Sequence, residues 1–232
     1  MFFNPLFLVF ALPGLLIGLW AQQRVRSNFN KYSKVRTSRG LTGAQVARAL
    51  LDAYGLFDVA VEQTKGMLSD HYDPRSKVLR LSEGVYQSNS VAAAGIAAHE
   101  MGHALQDAKN YAPLGLRSAL VPATQFGSNL APWIFIGGFM LSNVTELGIW
   151  VAWFGVGLFS LAVLFSLVTL LVEFDASKRA KALLMKEGVL FGDEMQGVNK
   201  VLDSAAWTYV AAAISAIGTL LYYVFLLLGR RD

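Results

Sequence analysis

The residues best equipped for chemistry in this chain are His99, Glu100 and His103, in the run His99-Glu100-Met101-Gly102-His103. Histidines four positions apart lie just over one helical turn from each other, so a helix turns both imidazoles toward a single ion. Neutral imidazole nitrogens suit Zn²⁺, and two ligands on one rigid element lower the entropy cost of assembling the site. Glu100, one position on, stands beside such an ion without binding it. From there it can take a proton from a water that the metal has acidified and later deliver it to the leaving amine of a cleaved peptide. The chain has three histidines, and two of them stand here with the acid in register. That weighs against chance spacing or a buried polar network.

A catalytic zinc takes three protein ligands and keeps one position for water. Gln106 and Lys109 stand where a glycine and a histidine would continue the motif locally, so the third ligand must be distant. Glu173, in Glu173-Phe174-Asp175-Ala176-Ser177, is the first choice. Two apolar segments separate it from His103, and an even number of crossings returns a chain to the same side of a membrane. Its competing role is a charge marking a helix end at the interface. Asp107, Asp175, His71 and Asp203 are the other candidates. Asp107, one turn beyond His103, could orient that histidine or be a solvated acid at a helix end. Asp175 and Ser177 could fix a neighbouring imidazole or simply be exposed. His71, in Asp70-His71-Tyr72-Asp73-Pro74, could stabilise a tetrahedral oxyanion, or be a turn histidine bonded to local backbone. Tyr209 reads as an interface aromatic.

These side chains need elements to hold them. Ser88 or Ser90 can cap the helix that carries the motif to about Asp107, and Ala92-Ala93-Ala94-Gly95 with Gly102 keeps that helix slim. Thr42 and Gln45 form a capping box that opens a helix through Ala53, with Gly55 ending it. Residues 57–61 and 77–82 alternate like short strands, with Asp73-Pro74 as a turn between them. The second strand could receive an extended substrate at a sheet edge, or be an ordinary sheet strand.

The rest of the chain is apolar. Hydrophobic residues make up 54% and charged residues 16%, against about a quarter charged in a soluble domain. Four segments approach the ~20 residues that a spanning helix requires: 2–22, 118–141, 147–172 and 205–228. Pro122, Gln125 and Asn129 interrupt the second. No Lys or Arg precedes the first, so it reads as an uncleaved anchor. Of the 20 Lys and Arg residues, 13 lie in 23–117 and five in 173–205, and none in 142–146. The positive-inside rule places both basic segments in the cytoplasm, although Arg230 and Arg231 then fall outside. A net charge of +4 is explained by this flanking pattern, and nucleic acid is not expected. The absence of cysteine excludes disulfides and thiolate metal sites.

The expectation is therefore a mainly α membrane protein, one metallopeptidase domain over 1–232. It has about four transmembrane helices and a small α+β zincin-like portion carrying the H-E-x-x-H helix (cytoplasmic segments 23–117 and 173–204). Its cofactor is Zn²⁺, and its partners are the lipid bilayer and a protein or peptide substrate. The segments Ser69 to Pro74, Ala97 to Gln106 and Glu173 to Ser177 resemble the YugP-like neutral zinc metallopeptidases, over nearly the whole chain and including the order of spans. The resemblance implies a membrane-bound zinc peptidase of bacterial type and supports Glu173 as ligand. The motif pair is also similar to the HtpX-like and CAAX-processing membrane peptidases, where a late Glu completes a two-His site. Those relatives carry Asp four residues after that Glu. Ser177 stands there in this chain, which leaves Asp175 as a substitute orienter. Two competing readings are a site-2-type intramembrane protease and a non-catalytic zinc-binding scaffold. The first is disfavoured by the roughly 16 apolar residues around the motif, short of a span, and by Ser204 after Asp203. The second has no use for Glu100.

Overall fold

The computed structural model describes residues 5–229, without the side chain of Phe126. The expected positions of residues 2–4, at the start of the first span, and of Arg230 and Arg231 lie outside the described residues. In chain order the elements are α1 (Pro5–Tyr32), α2 (Gly43–Ala53), β1 (Ala60–Thr64), β2 (His71–Asp73), β3 (Val78–Ser82), α3 (Glu83–Tyr86), α4 (Val91–Ala108), α5 (Ala112–Leu141), α6 (Leu147–Lys186) and α7 (Asp193–Leu228). They form two compact units. One comprises the chain up to Trp20, Gly115–Leu171 and the chain from Thr208 onward; the other comprises Ala21–Leu114 and Val172–Trp207.

The first unit is built of helices. Its packed residues are large and aromatic, among them Phe135, Tyr222 and Tyr223, with Phe135 stacked on Tyr223 at 4.0 Å between ring centroids. Its other large apolar side chains, such as Trp133, Trp150 and Phe154, are exposed. Among the described residues, three helices are long and apolar enough to cross a membrane: α1, α6 and α7. The helix α5, where the sequence predicts the second of four spans, is continuous over 30 residues but is not among those three. Gln125, Ser128 and Asn129 dilute its apolar run. The long helices also outrun the predicted spans. At 1.5 Å per residue, the 40 residues of α6 reach about 60 Å, twice a hydrocarbon core, and its last third, from Glu173 to Lys186, is a polar extension.

The second unit packs α2 and α4 against a three-stranded sheet. The helix α2 starts as its sequence dictates: Thr42 accepts from the Gln45 N–H at 3.3 Å while the Gln45 side chain accepts from the Thr42 N–H at 2.9 Å. Gly55, at φ +73°, turns the chain away at its end. Residues 56–58 are then held by a turn, since the Leu56 N–H bonds back to Leu51 O and Arg48 bonds Leu56 O and Val59 O. The first strand consequently begins at Ala60, three residues later than its sequence suggests. The sheet order is β1-β3-β2, with β1 parallel and β2 antiparallel to β3. This decides between the two alternatives for the second predicted strand in favour of an ordinary sheet strand. The strand over 77–82 is the central strand, paired on both sides, so it offers no edge to a substrate. The edges belong to β1 and to β2, a three-residue strand too short to leave an alternating pattern.

Ser90 caps α4 by accepting the Ala93 N–H at 3.2 Å. Of the 18 residues of α4, 14 are buried. A helix buried nearly all round must be narrow, which is what its alanines and glycines provide.

Candidate metal centre

Burial of α4 brings the motif against the polar end of α6. Gly102 is the point of closest approach, because a Cβ there would stand 2.6 Å from the Ala176 carbonyl oxygen. Close passage at Gly102 sets Glu173, one turn back along α6, opposite both imidazoles. Glu173 Oε2 lies 3.2 Å from His99 Nε2 and 3.6 Å from His103 Nε2. The His99 and His103 rings meet edge to face with centroids 4.8 Å apart. Among the described residues, His99, His103 and Glu173 form a group whose ligand atoms all lie within 4.8 Å of one another. Two ligand atoms on a tetrahedral zinc with bonds of about 2.0–2.1 Å are separated by roughly 3.3–3.4 Å. The distances of 3.2 and 3.6 Å bracket that value, and two imidazoles with one carboxylate make a fitting donor set for zinc.

The electrostatics suit a cation. Burial opposes charge on Glu173, but its hydrogen bonds with His103 and His99 outweigh burial and hold the carboxyl well below the ordinary range. At His103 burial disfavours the imidazolium, yet Glu173 and Glu100 together raise its affinity for a proton.

Each of the two histidines has a supporting partner. His99 Nδ1 lies 3.1 Å from Ser177 Oγ, the serine four residues after Glu173. His103 Nδ1 lies 3.0 Å from Gln106 Oε1. Of the two readings of Asp107, that of an orienter of His103 does not hold. Asp107 instead accepts from the Tyr72 hydroxyl at 2.8 Å and from Lys77 Nζ at 3.2 Å, because it faces the sheet at the end of α4 while Gln106 faces the core. Asp175 does not touch an imidazole directly; it accepts from Gln106 at 2.8 Å and pairs with Arg179. Asp203 pairs with Lys181 and is exposed.

Glu100 is buried, and its Oε2 accepts the Tyr72 backbone N–H at 3.0 Å. The edge strand β2 therefore holds the acid of the motif. The strand is anchored in turn by Asp70, which accepts from the Ser82 N–H at 2.7 Å and from its hydroxyl at 3.0 Å. Burial pushes the Asp70 carboxyl above its usual range despite those bonds. His71 is exposed, with Nδ1 2.8 Å from the Ser69 carbonyl. Sequence reasoning missed Gln106 as a partner and the Tyr72 backbone as a support. The spacing of Gln106, three residues after His103 on a helix, could have revealed the first; nothing local announces the second.

Comparison with known proteins agrees with this chemistry. A family model described as "Putative neutral zinc metallopeptidase" matches residues 7–228. The chain is 48% identical over 227 residues to a protein of Bacillus subtilis (strain 168) described as "Putative membrane protease YugP", covering 98% of this chain and 99% of that one. No solved structure matches.

Proposed function

Since the chain belongs to the neutral zinc metallopeptidase family, we propose that it is a membrane-bound metalloendopeptidase cleaving membrane or membrane-proximal proteins on the cytoplasmic side of a bacterial membrane. The observation that carries this reading is the convergence of Glu173 Oε2 on both motif histidines beside a separately held Glu100. His99, His103 and Glu173 are the ligands that would hold the ion. When bound, zinc supplies Lewis acidity, which acidifies water and polarises a peptide carbonyl.

The chain's own residues account for the remaining steps. Glu100 is the general base and acid. The Tyr72 N–H fixes its Oε2, which orients the other carboxylate oxygen to receive a proton from the attacking water and return it to the leaving amine. An extended substrate adds to the sheet at β2, the edge beside Glu100, where main-chain hydrogen bonds hold the scissile bond. His71 stabilises the oxyanion. Its Nδ1 donates to the Ser69 carbonyl, which leaves Nε2 as the nitrogen turned to this role.

The same geometry supports a fourth span. His103 and Glu173 must lie on one side of the membrane, and α6 crosses between them, so α5 crosses as well.

The test is zinc content and casein hydrolysis of detergent-purified wild type, Glu100→Gln, Glu173→Ala and His71→Ala. Glu100→Gln should keep zinc and lose hydrolysis, Glu173→Ala should lose both, and His71→Ala should keep zinc with lowered turnover. Stoichiometric zinc in a wild type that hydrolyses no unfolded protein would replace the enzyme with a zinc-binding scaffold. Normal zinc in Glu173→Ala would remove the third ligand.

A further inference from the structure

Gln106 has no exposed surface at all, and burying a primary amide requires that its donors and acceptor all be met. Its Nε2 donates to Val172 O at 2.8 Å and to Asp175 Oδ2 at 2.8 Å. Both partners are acceptors only, so they fix the amide's orientation: the NH₂ faces α6 and Oε1 faces His103. An amide oxygen 3.0 Å from His103 Nδ1 can only accept, so Nδ1 carries the proton. The lone pair of the imidazole is then at Nε2, the atom that stands 3.6 Å from Glu173 Oε2.

From this we infer that Gln106 is a positioning residue: it selects the His103 tautomer and ring orientation that present Nε2 to the metal. The inference rests on the metal-centre reading proposed above. A carboxylate or backbone carbonyl usually fills this role beside a metal-bound histidine. Here a neutral amide carries it, and the amide is itself fixed by an ion pair one step away. Asp175 pairs with Arg179, whose guanidinium lies over the Tyr111 ring at 5.5 Å from the centroid. Tyr111 closes the chain of contacts by donating its N–H to Gln106 O at 2.9 Å. His103 is thus tied to Glu173's own helix by a second route besides its direct approach to Glu173. An aliphatic residue at 106 would leave His103 free to rotate or to adopt the other tautomer.

The experiment is zinc affinity by chelator competition on the detergent-solubilised full chain, for wild type, Gln106→Met and His103→Ala. Nitrogen NMR of histidine-labelled, zinc-loaded wild type runs in parallel; three histidines in the chain make the spectrum assignable. Gln106→Met keeps the side-chain length and removes the acceptor, and is expected to bind zinc about 10–100-fold more weakly. The wild-type spectrum is expected to show a His103 Nδ1 proton that exchanges slowly with solvent and is shifted by a strong acceptor. Wild-type zinc affinity in a folded Gln106→Met overturns the inference. If that variant does not fold, a freely exchanging His103 Nδ1 proton in wild type overturns it instead. Failure of the underlying reading looks different, because then wild type holds no zinc, or His103→Ala binds it as tightly as wild type.

Discussion

At His103 the proton and the metal compete for Nε2. The neighbouring carboxylates raise its proton affinity in spite of burial, while Glu173 is held ionised by the two histidines in spite of its own burial. The signs follow. Above the raised His103 pKa the imidazole is neutral and zinc affinity is flat. Below it the proton on His103 alone costs about tenfold in apparent affinity for each unit of pH. Glu173, with its lowered pKa, does not contribute to that loss until far more acidic conditions. Apparent zinc affinity measured against pH should therefore break above the ordinary histidine value of about 6.5. A break well below that value would show that the carboxylates do not act on His103 as the geometry implies.

The elements bring these residues together through one close approach. An added Cβ at Gly102 meets backbone atoms of α6, the Ala176 carbonyl oxygen at 2.6 Å and its carbon at 3.2 Å. Backbone cannot step aside as a flexible side chain can, so Gly102→Ala must part α4 from α6. Overpacking of this kind costs about 1–3 kcal/mol. It also draws Glu173 away from the histidines, so zinc affinity should fall along with stability. Gly84→Ala, where nothing lies within 4 Å of the added Cβ, should be neutral or stabilising by up to about 1 kcal/mol. Thermal melts with zinc analysis of both variants check this, and a Gly102→Ala that melts and binds like wild type would sink the close-approach argument. The helices α2 and α4 were legible in the sequence because their signals are local: Thr42 with Gln45, the Ser90 cap, two histidines one turn apart. What was not legible depends on distant partners. The start of β1 is displaced by Arg48 reaching across to Leu56 and Val59. The strand β2 exists only by pairing with β3. Gln106 acquires its role only once α6 returns beside α4, whereas Ser177, already a candidate to fix an imidazole, is found beside His99.

For the whole molecule, the site and the membrane constrain each other. The helix α6 carries an uncharged run from Leu147 to Val172 and then, without a break, Glu173. If that run crosses the bilayer, the link between α5 and α6 lies on the side opposite to Glu173, and therefore opposite to α4. The chain leaves α4 at Ala108 and enters α5 at Ala112, so α5 must make the return crossing, polar residues and two internal prolines notwithstanding. Gln125 and Asn129 then sit at membrane depth, where a polar group is tolerated if it finds a partner; Asn129 Nδ2 already donates to Gln125 O at 2.9 Å. Because the chain has no cysteine, single cysteines can be placed without first removing native ones. With a membrane-impermeant thiol reagent on intact cells, Asn143→Cys should label from outside, whereas Ser69→Cys and Gly84→Cys should label only after permeabilisation. If Asn143→Cys behaves like the other two, α5 does not cross, and α6 would have to carry Glu173 to the far side from His103. No zinc site could then form from these three residues, so the accessibility of Asn143 tests the topology and the metal centre together.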